Sequence, residues 1–215
     1  MENTEALGGG NFIHDLDEFF AKKYSDFDLI ASMPSYESVT ISMILKNKNR
    51  IEEGEYAANE MRKISYQPDP AKVLAELKER YVDNAFTFSV RIAPFKKRMA
   101  AFFGSKNTVG KLIARLVKNY GEAPETLAEK LGVSEEVWNG VLKGKYIPEK
   151  PLIYKLTLML GVSHDDNIRL MRECGCAYDY SDARDVVVRY LVDYRIYNRG
   201  MIEKAFDEYR LRRLL

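Results

Sequence analysis

Apolar residues recur at three- and four-residue spacing along most of this chain, which predicts helices joined by short turns. Phe12, Ile13, Leu16, Phe19, Phe20 and Tyr24 follow that spacing and predict one helix over residues 11–24. Pro34 then breaks the chain. Residues 35–45 carry two patterns. Val39, Ile41, Met43 and Leu45 alternate as in a strand, while Tyr36, Thr40, Met43 and Asn47 form a weaker helical stripe. The helical neighbours favour helix there. Residues 51–64, rich in Glu and Ala, also read as helix. Gln67-Pro68-Asp69-Pro70 is the clearest internal break. Asp69 suits a helix N-cap and Pro70 a first helical position, with Val73, Leu74, Leu77 and Tyr81 on the buried face of the helix that follows. Phe86, Phe88, Val90 and Ile92 alternate and predict a short strand or an extended linker.

From residue 105 onward the pattern is a train of short helices. Val109, Leu112, Ile113, Leu116 and Val117 make one amphipathic helix that ends at Gly121. A shorter helix around Thr126, Leu127, Lys130 and Leu131 ends at Gly132. Others are predicted over residues 135–143, stopping at Gly144, and 149–160, stopping at Gly161. Ser163 caps another that reaches Arg172. Two more follow, over residues 181–197 and 201–211.

Charge changes the picture. The 33 basic and 32 acidic residues leave a formal net charge of +1, which argues against a general polyanion-coating protein. Yet residues 1–90 hold 10 basic and 16 acidic side chains, and residues 91–215 hold 23 and 16. The positive share concentrates in residues 84–121, where Arg91, Lys96, Lys97, Arg98, Lys106, Lys111, Arg115 and Lys118 face no acid. Two readings stand: a track for a phosphate backbone, or a solvated basic face that docks on the acidic residues 1–90. Phe95, Phe102 and Phe103 interleave with these cations, either to stack on bases or to anchor the segment in a core.

Candidate chemistry is sparse. The longest stretch without a charged residue is 9 residues, too short for the roughly 20 apolar residues of a membrane span. The acidic start lacks the features of a secretory signal, and Gly8-Gly9-Gly10 reads as part of a flexible leader over residues 1–10. Two cysteines, Cys174 and Cys176, and two histidines, His14 and His164, make neither a disulfide framework nor a zinc site. A reducing cytoplasm is the expected compartment. Nucleophile, zincin and phosphate-loop motifs do not occur. No enzyme activity, cofactor or metal is expected.

The informative stretch is A-P-E-T-L-A-E-K-L-G-V-S-E-E-V-W-N-G-V-L-K-G-K, residues 123–145. A short helix ends at Gly132, a tight turn holds Val133 and Ser134, and a second helix starts at once. That spacing suits a helix-turn-helix, with Ala128 small enough for close approach. Continuing through Y-I-P-E-K-P-L-I-Y-K-L-T-L-M-L-G-V-S, the segment over residues 108–173 resembles the Cro/CI-type (XRE, lambda-repressor-like) helix-turn-helix family, five helices in order. Residues 182–209, D-A-R-D-V-V-V-R-Y-L-V-D-Y-R-I-Y-N-R-G-M-I-E-K-A-F-D-E-Y, resemble an extension that follows this module in Firmicute-type relatives.

The resemblance implies a bacterial protein with a lambda-repressor-like five-helix module over residues 105–175 and a helical C-terminal extension over 176–215; with the separate, mainly helical N-terminal region over 11–104 that the apolar spacing predicts, of unassigned role, the chain reads as all-α. It implies a helix-turn-helix protein that binds double-stranded DNA and regulates transcription, as a homodimer, with partner contacts through the N-terminal region or the extension. On this mapping Glu135, Glu136 and Asn139 face base edges, while Lys111, Ser134, Lys143 and Lys145 meet phosphates. Family members commonly carry Gln where this chain has Pro124, and uncharged or basic reading residues where it has Glu135 and Glu136. A carboxylate can accept from cytosine N4 but sits in the negative field of the phosphates. These departures keep an alternative open: a protein-interaction adaptor on the same scaffold that no longer reads DNA.

Overall fold

The computed structural model describes residues 11–24, 74–75, 77–79, 88–103 and 108–215. The chain divides into two compact units, residues 25–80 and residues 1–24 with 81–215. Of the first unit, residues 74–75 and 77–79 are helical and Leu74 is buried. The leader over 1–10, the helices expected over 35–45 and 51–64, and the Pro-Asp-Pro break lie outside the described residues.

Among the described residues the second unit is mainly helical, with a single two-stranded sheet. In chain order it comprises α1 (Asn11–Lys23), β1 (Val90–Ile92), α2 (Phe95–Phe102), α3 (Val109–Asn119), a 3-10 turn (Pro124–Thr126), α4 (Leu127–Leu131), α5 (Glu135–Leu142), β2 (Tyr146–Pro148), α6 (Lys150–Leu160), α7 (His164–Glu173), α8 (Ala183–Asp193) and α9 (Arg199–Glu208). None of the described helices is long and apolar enough to cross a membrane.

Local chemistry sets the helix ends. Thr108, Ser134, Ser163, Asp182 and Asn198 each accept a backbone N–H at the start of α3, α5, α7, α8 and α9. Gly132 and Gly161 end α4 and α6 in the left-handed conformation, where a side chain would be strained. The apolar stripe of α3 buries Ile113 and Val117 completely. Gly110 lets α3 cross α5 at close range: a Cβ there would lie 2.2 Å from the Leu142 carbonyl oxygen. Trp138 is buried, and its indole N–H donates to the Pro124 carbonyl at 2.5 Å. It is therefore a strut between α5 and the turn that precedes α4.

The tail helices continue this core. A polar seam joins α8 to α6 and α7. The Asp185 carboxylate, 1% exposed, accepts from Lys150 Nζ at 2.5 Å and from the Asp179 amide at 2.7 Å. Tyr178 donates to Asn167, and Asn167 donates to Thr157. His164 Nδ1 lies 2.6 Å from Asp193 Oδ1, and Arg189 donates to the other carboxylate oxygen at 2.8 Å. The first helix also belongs here. Phe12, Leu16 and Phe20 form one buried face of α1, which packs on α8 and α9 through ring contacts of Phe12 with Tyr190 and Phe20 with Tyr209.

The sheet joins distant segments. β1 pairs antiparallel with β2, Val90 opposite Pro148, Arg91 opposite Ile147 and Ile92 opposite Tyr146. The Phe86–Ile92 alternation thus ends in a true strand over its described part. Its partner is the Gly144-Lys145-Tyr146-Ile147-Pro148 segment, which resembles a plain turn in the sequence. Backbone groups of 146–148 find their partners in a segment more than 50 residues away, a pairing that local pattern does not contain.

Candidate nucleic-acid interface

Every residue expected to touch DNA is solvent-exposed. Ser134, Glu135, Glu136 and Asn139 lie at the start and on the outer face of α5, Lys143 follows its last residue, Lys145 lies just before β2, and Lys111 occupies the first turn of α3. Ser134 has a structural duty, since its hydroxyl accepts the Val137 amide at 3.3 Å. Glu135 and Glu136 sit in the first turn of α5, where the helix dipole favours negative charge. Their presence is thus good for the helix and unfavourable for a polyanion at its tip.

The lysines are positioned by packing. Gly140 has no side chain, and a Cβ there would meet the Tyr146 ring at 2.4 Å. Tyr146 therefore lies against the inner face of α5. Lys145 Nζ lies 5.0 Å from the centre of that ring, a cation–π distance. Gly140 of α5 is thus the residue that lets Tyr146, and with it Lys145, approach.

Three of the expected residues converge. Lys111, Lys143 and Lys145 line an open groove of about 550 Å³ together with Arg98, Ala101, Phe102, Thr108, Leu142 and Gly144. None of its described lining residues is a carboxylate. Glu135 stands eight residues before Lys143, about 12 Å along the helix at 1.5 Å per residue. The expected site is therefore bipolar, with an acidic tip at the N-terminus of α5 and a cationic groove at its C-terminus.

Arg98 and Phe102 are the additions. Both belong to the acid-free stretch, but linear pattern does not bring α2 to the end of α5. Four contacts do. Beside the β1–β2 pairing, the Ala93 amide donates to the Lys145 carbonyl at 3.0 Å. Arg91 donates to the Cys174 carbonyl. Lys97 donates to the Glu173 carbonyl at 3.2 Å. Ala101 abuts Gly144, where a Cβ would come within 2.9 Å of the Ala101 methyl. Arg91 and Lys97 thus close the C-terminal end of α7, where cations are favoured. Of the acid-free cations, Arg91 and Lys97 are structural caps, and Arg98 and Lys111 reach the groove. Lys106 lies outside the described residues.

Other candidate groups are inert. Burial pushes the Cys174 thiol up to about 12, with Cys176 adding to it, so it remains protonated at neutral pH. Burial also raises Cys176. Among the described residues no group of Cys, His, Asp and Glu is arranged to hold a metal ion.

Compared with known proteins, the chain matches no family model, no curated protein and no solved structure.

Proposed function

We propose that this chain is a helix-turn-helix protein that binds duplex DNA and regulates transcription. On this reading α4, the left-handed turn at Gly132 and α5 form the helix-turn-helix, and α5 enters the major groove. The observation that carries it is the convergence of Lys111, Lys143 and Lys145 on one groove, with no carboxylate among its described lining residues, beside an exposed α5. Lys143 and Lys145 neutralise phosphates, and Asn139 offers an amide to base edges. Glu135 and Glu136 limit the sequences that can be tolerated to those presenting cytosine amines.

A second reading rests on those same carboxylates. An acidic helix tip repels a phosphate backbone, which favours a protein-interaction adaptor on the same scaffold. Titration of a labelled mixed-sequence duplex over a salt series separates the two. Duplex binding predicts a log–log salt slope of about −0.9 for each phosphate neutralised, about −2.7 for three lysines. Lys143→Glu with Lys145→Glu should abolish it. No binding at low salt overturns the DNA reading and leaves the adaptor.

A further inference from the structure

We propose that the groove between α2 and the C-terminal end of α5 is a site for single-stranded nucleic acid, with phosphates held by Arg98, Lys111, Lys143 and Lys145 and an unpaired base stacked on Phe102. It shares its lysines with the duplex reading but uses neither Glu135, Glu136 nor Asn139, so it stands whether or not α5 reads a duplex.

The charge comes first. Four cations line one groove, and none of its described lining residues is a carboxylate. Such a surface suits a ligand that repeats an anion at every unit, and a nucleic-acid strand does so.

The aromatic residues come second. Phe102 is 82% exposed and Phe103 76% exposed, and their rings meet edge to face at 5.6 Å. No residue of α2 is buried, so these rings contribute nothing to a core. Rings held in solvent beside cations are a stacking platform, because every base has a planar face and stacks with little regard to sequence. Each nucleotide brings one plane and one anion, which is the pairing that Phe102 and Arg98 present within five residues of one helix.

Position comes third. A base inside a duplex is already stacked on its neighbours and cannot cover Phe102 without being extruded. The groove also stands a helix length from the tip of α5, away from where a duplex would present its base edges. A single strand meets both conditions at no unstacking cost.

The site is also preorganised. Strand pairing, Arg91, Lys97 and the Ala101–Gly144 contact fix α2 without using Arg98 or Phe102. Both groups remain available to a ligand, and little ordering is left to occur on binding.

The test is fluorescence anisotropy of the full chain with labelled oligo(dT) and, separately, a labelled mixed-sequence duplex. Oligo(dT) should bind with a log–log salt slope of about −3, from about −0.7 for each of four phosphates. Phe102→Ala should weaken oligo(dT) binding about 5- to 150-fold while leaving thermal unfolding unchanged. Arg98→Glu should weaken it at least about tenfold and flatten the salt slope. Oligo(dT) binding without duplex binding supports this site and removes the duplex reading. Duplex binding without oligo(dT) binding overturns this site alone. The proposal is likewise overturned if Phe102→Ala leaves oligo(dT) affinity unchanged, or if polyglutamate displaces oligo(dT) as well as unlabelled oligo(dT) does at equal charge, which would assign the groove to acidic polypeptides.

Discussion

Helices α2 and α8 are built from similar material and put to opposite uses. In α2, FKKRMAAF, five of eight residues are apolar, and in α8, ARDVVVRYLVD, seven of eleven are. Nine residues of α8 are buried, including Arg184 and Asp185, while α2 buries none. Apolar content therefore does not decide burial here. Surroundings do. α8 is enclosed by α1, α6 and α9, and its buried Asp185 pairs internally with Lys150 and the Asp179 amide. α2 is held by β1 on one side and by contacts to two turns, so its own side chains remain outside. One helix stabilises the fold and the other leaves its side chains in solvent.

The contrast can be broken by substitution. The largest effect is expected in α8: Leu191→Ala, at a fully buried position, should lower the unfolding free energy by about 2–5 kcal/mol. Chemical denaturation measures it, and a loss below about 1 kcal/mol would remove α8 from the core.

A smaller effect concerns the charge that α8 buries. Burial raises the Asp185 carboxyl above its usual range, opposed by Lys150 and the Asp179 amide. A raised value in the folded state means that folding favours the protonated acid. The stability Asp185 contributes is then full below about pH 4, the ordinary aspartate value, and is lost as pH rises through its folded value. Asp185→Asn should flatten that decline when denaturant melts are compared from about pH 3 to about pH 7. An unchanged pH dependence would show that Lys150 fully compensates the buried carboxylate.

The smallest effect should come from α2. Phe102→Ala should change stability by less than about 0.5 kcal/mol, as for a surface substitution away from packing. A cost above about 1 kcal/mol would place Phe102 in a packed environment and end the contrast.

What could be read from the amino-acid order follows the same division. Helix ends at Gly132, Gly161, Ser134 and Ser163 were legible because caps and left-handed turns are satisfied within a few residues. The buried stripe of α3 was legible because its period is 3.6 residues. The β1–β2 pair was only half legible, since alternation marks a strand but not its partner. The candidate site divides likewise. Lys143 and Lys145 sit near α5 in the chain and were found from the motif, while Arg98 and Phe102 reach them through strand pairing across 54 residues between Ile92 and Tyr146. The capping by Arg91 and Lys97 was equally hidden, because a run of cations looks alike whether it meets solvent, a phosphate or the carbonyls at the end of α7.

The seat of α1 carries a consequence for how the chain is made. Tyr209 donates to Asp17 across 192 positions, at 2.7 Å. On a ribosome α1 emerges long before α8 and α9, so its apolar face has no partner until they follow. The last helices to be synthesised are thus the ones that release the first from exposure. Nascent chains stalled before residue 183 should present Phe12, Leu16 and Phe20 to chaperones.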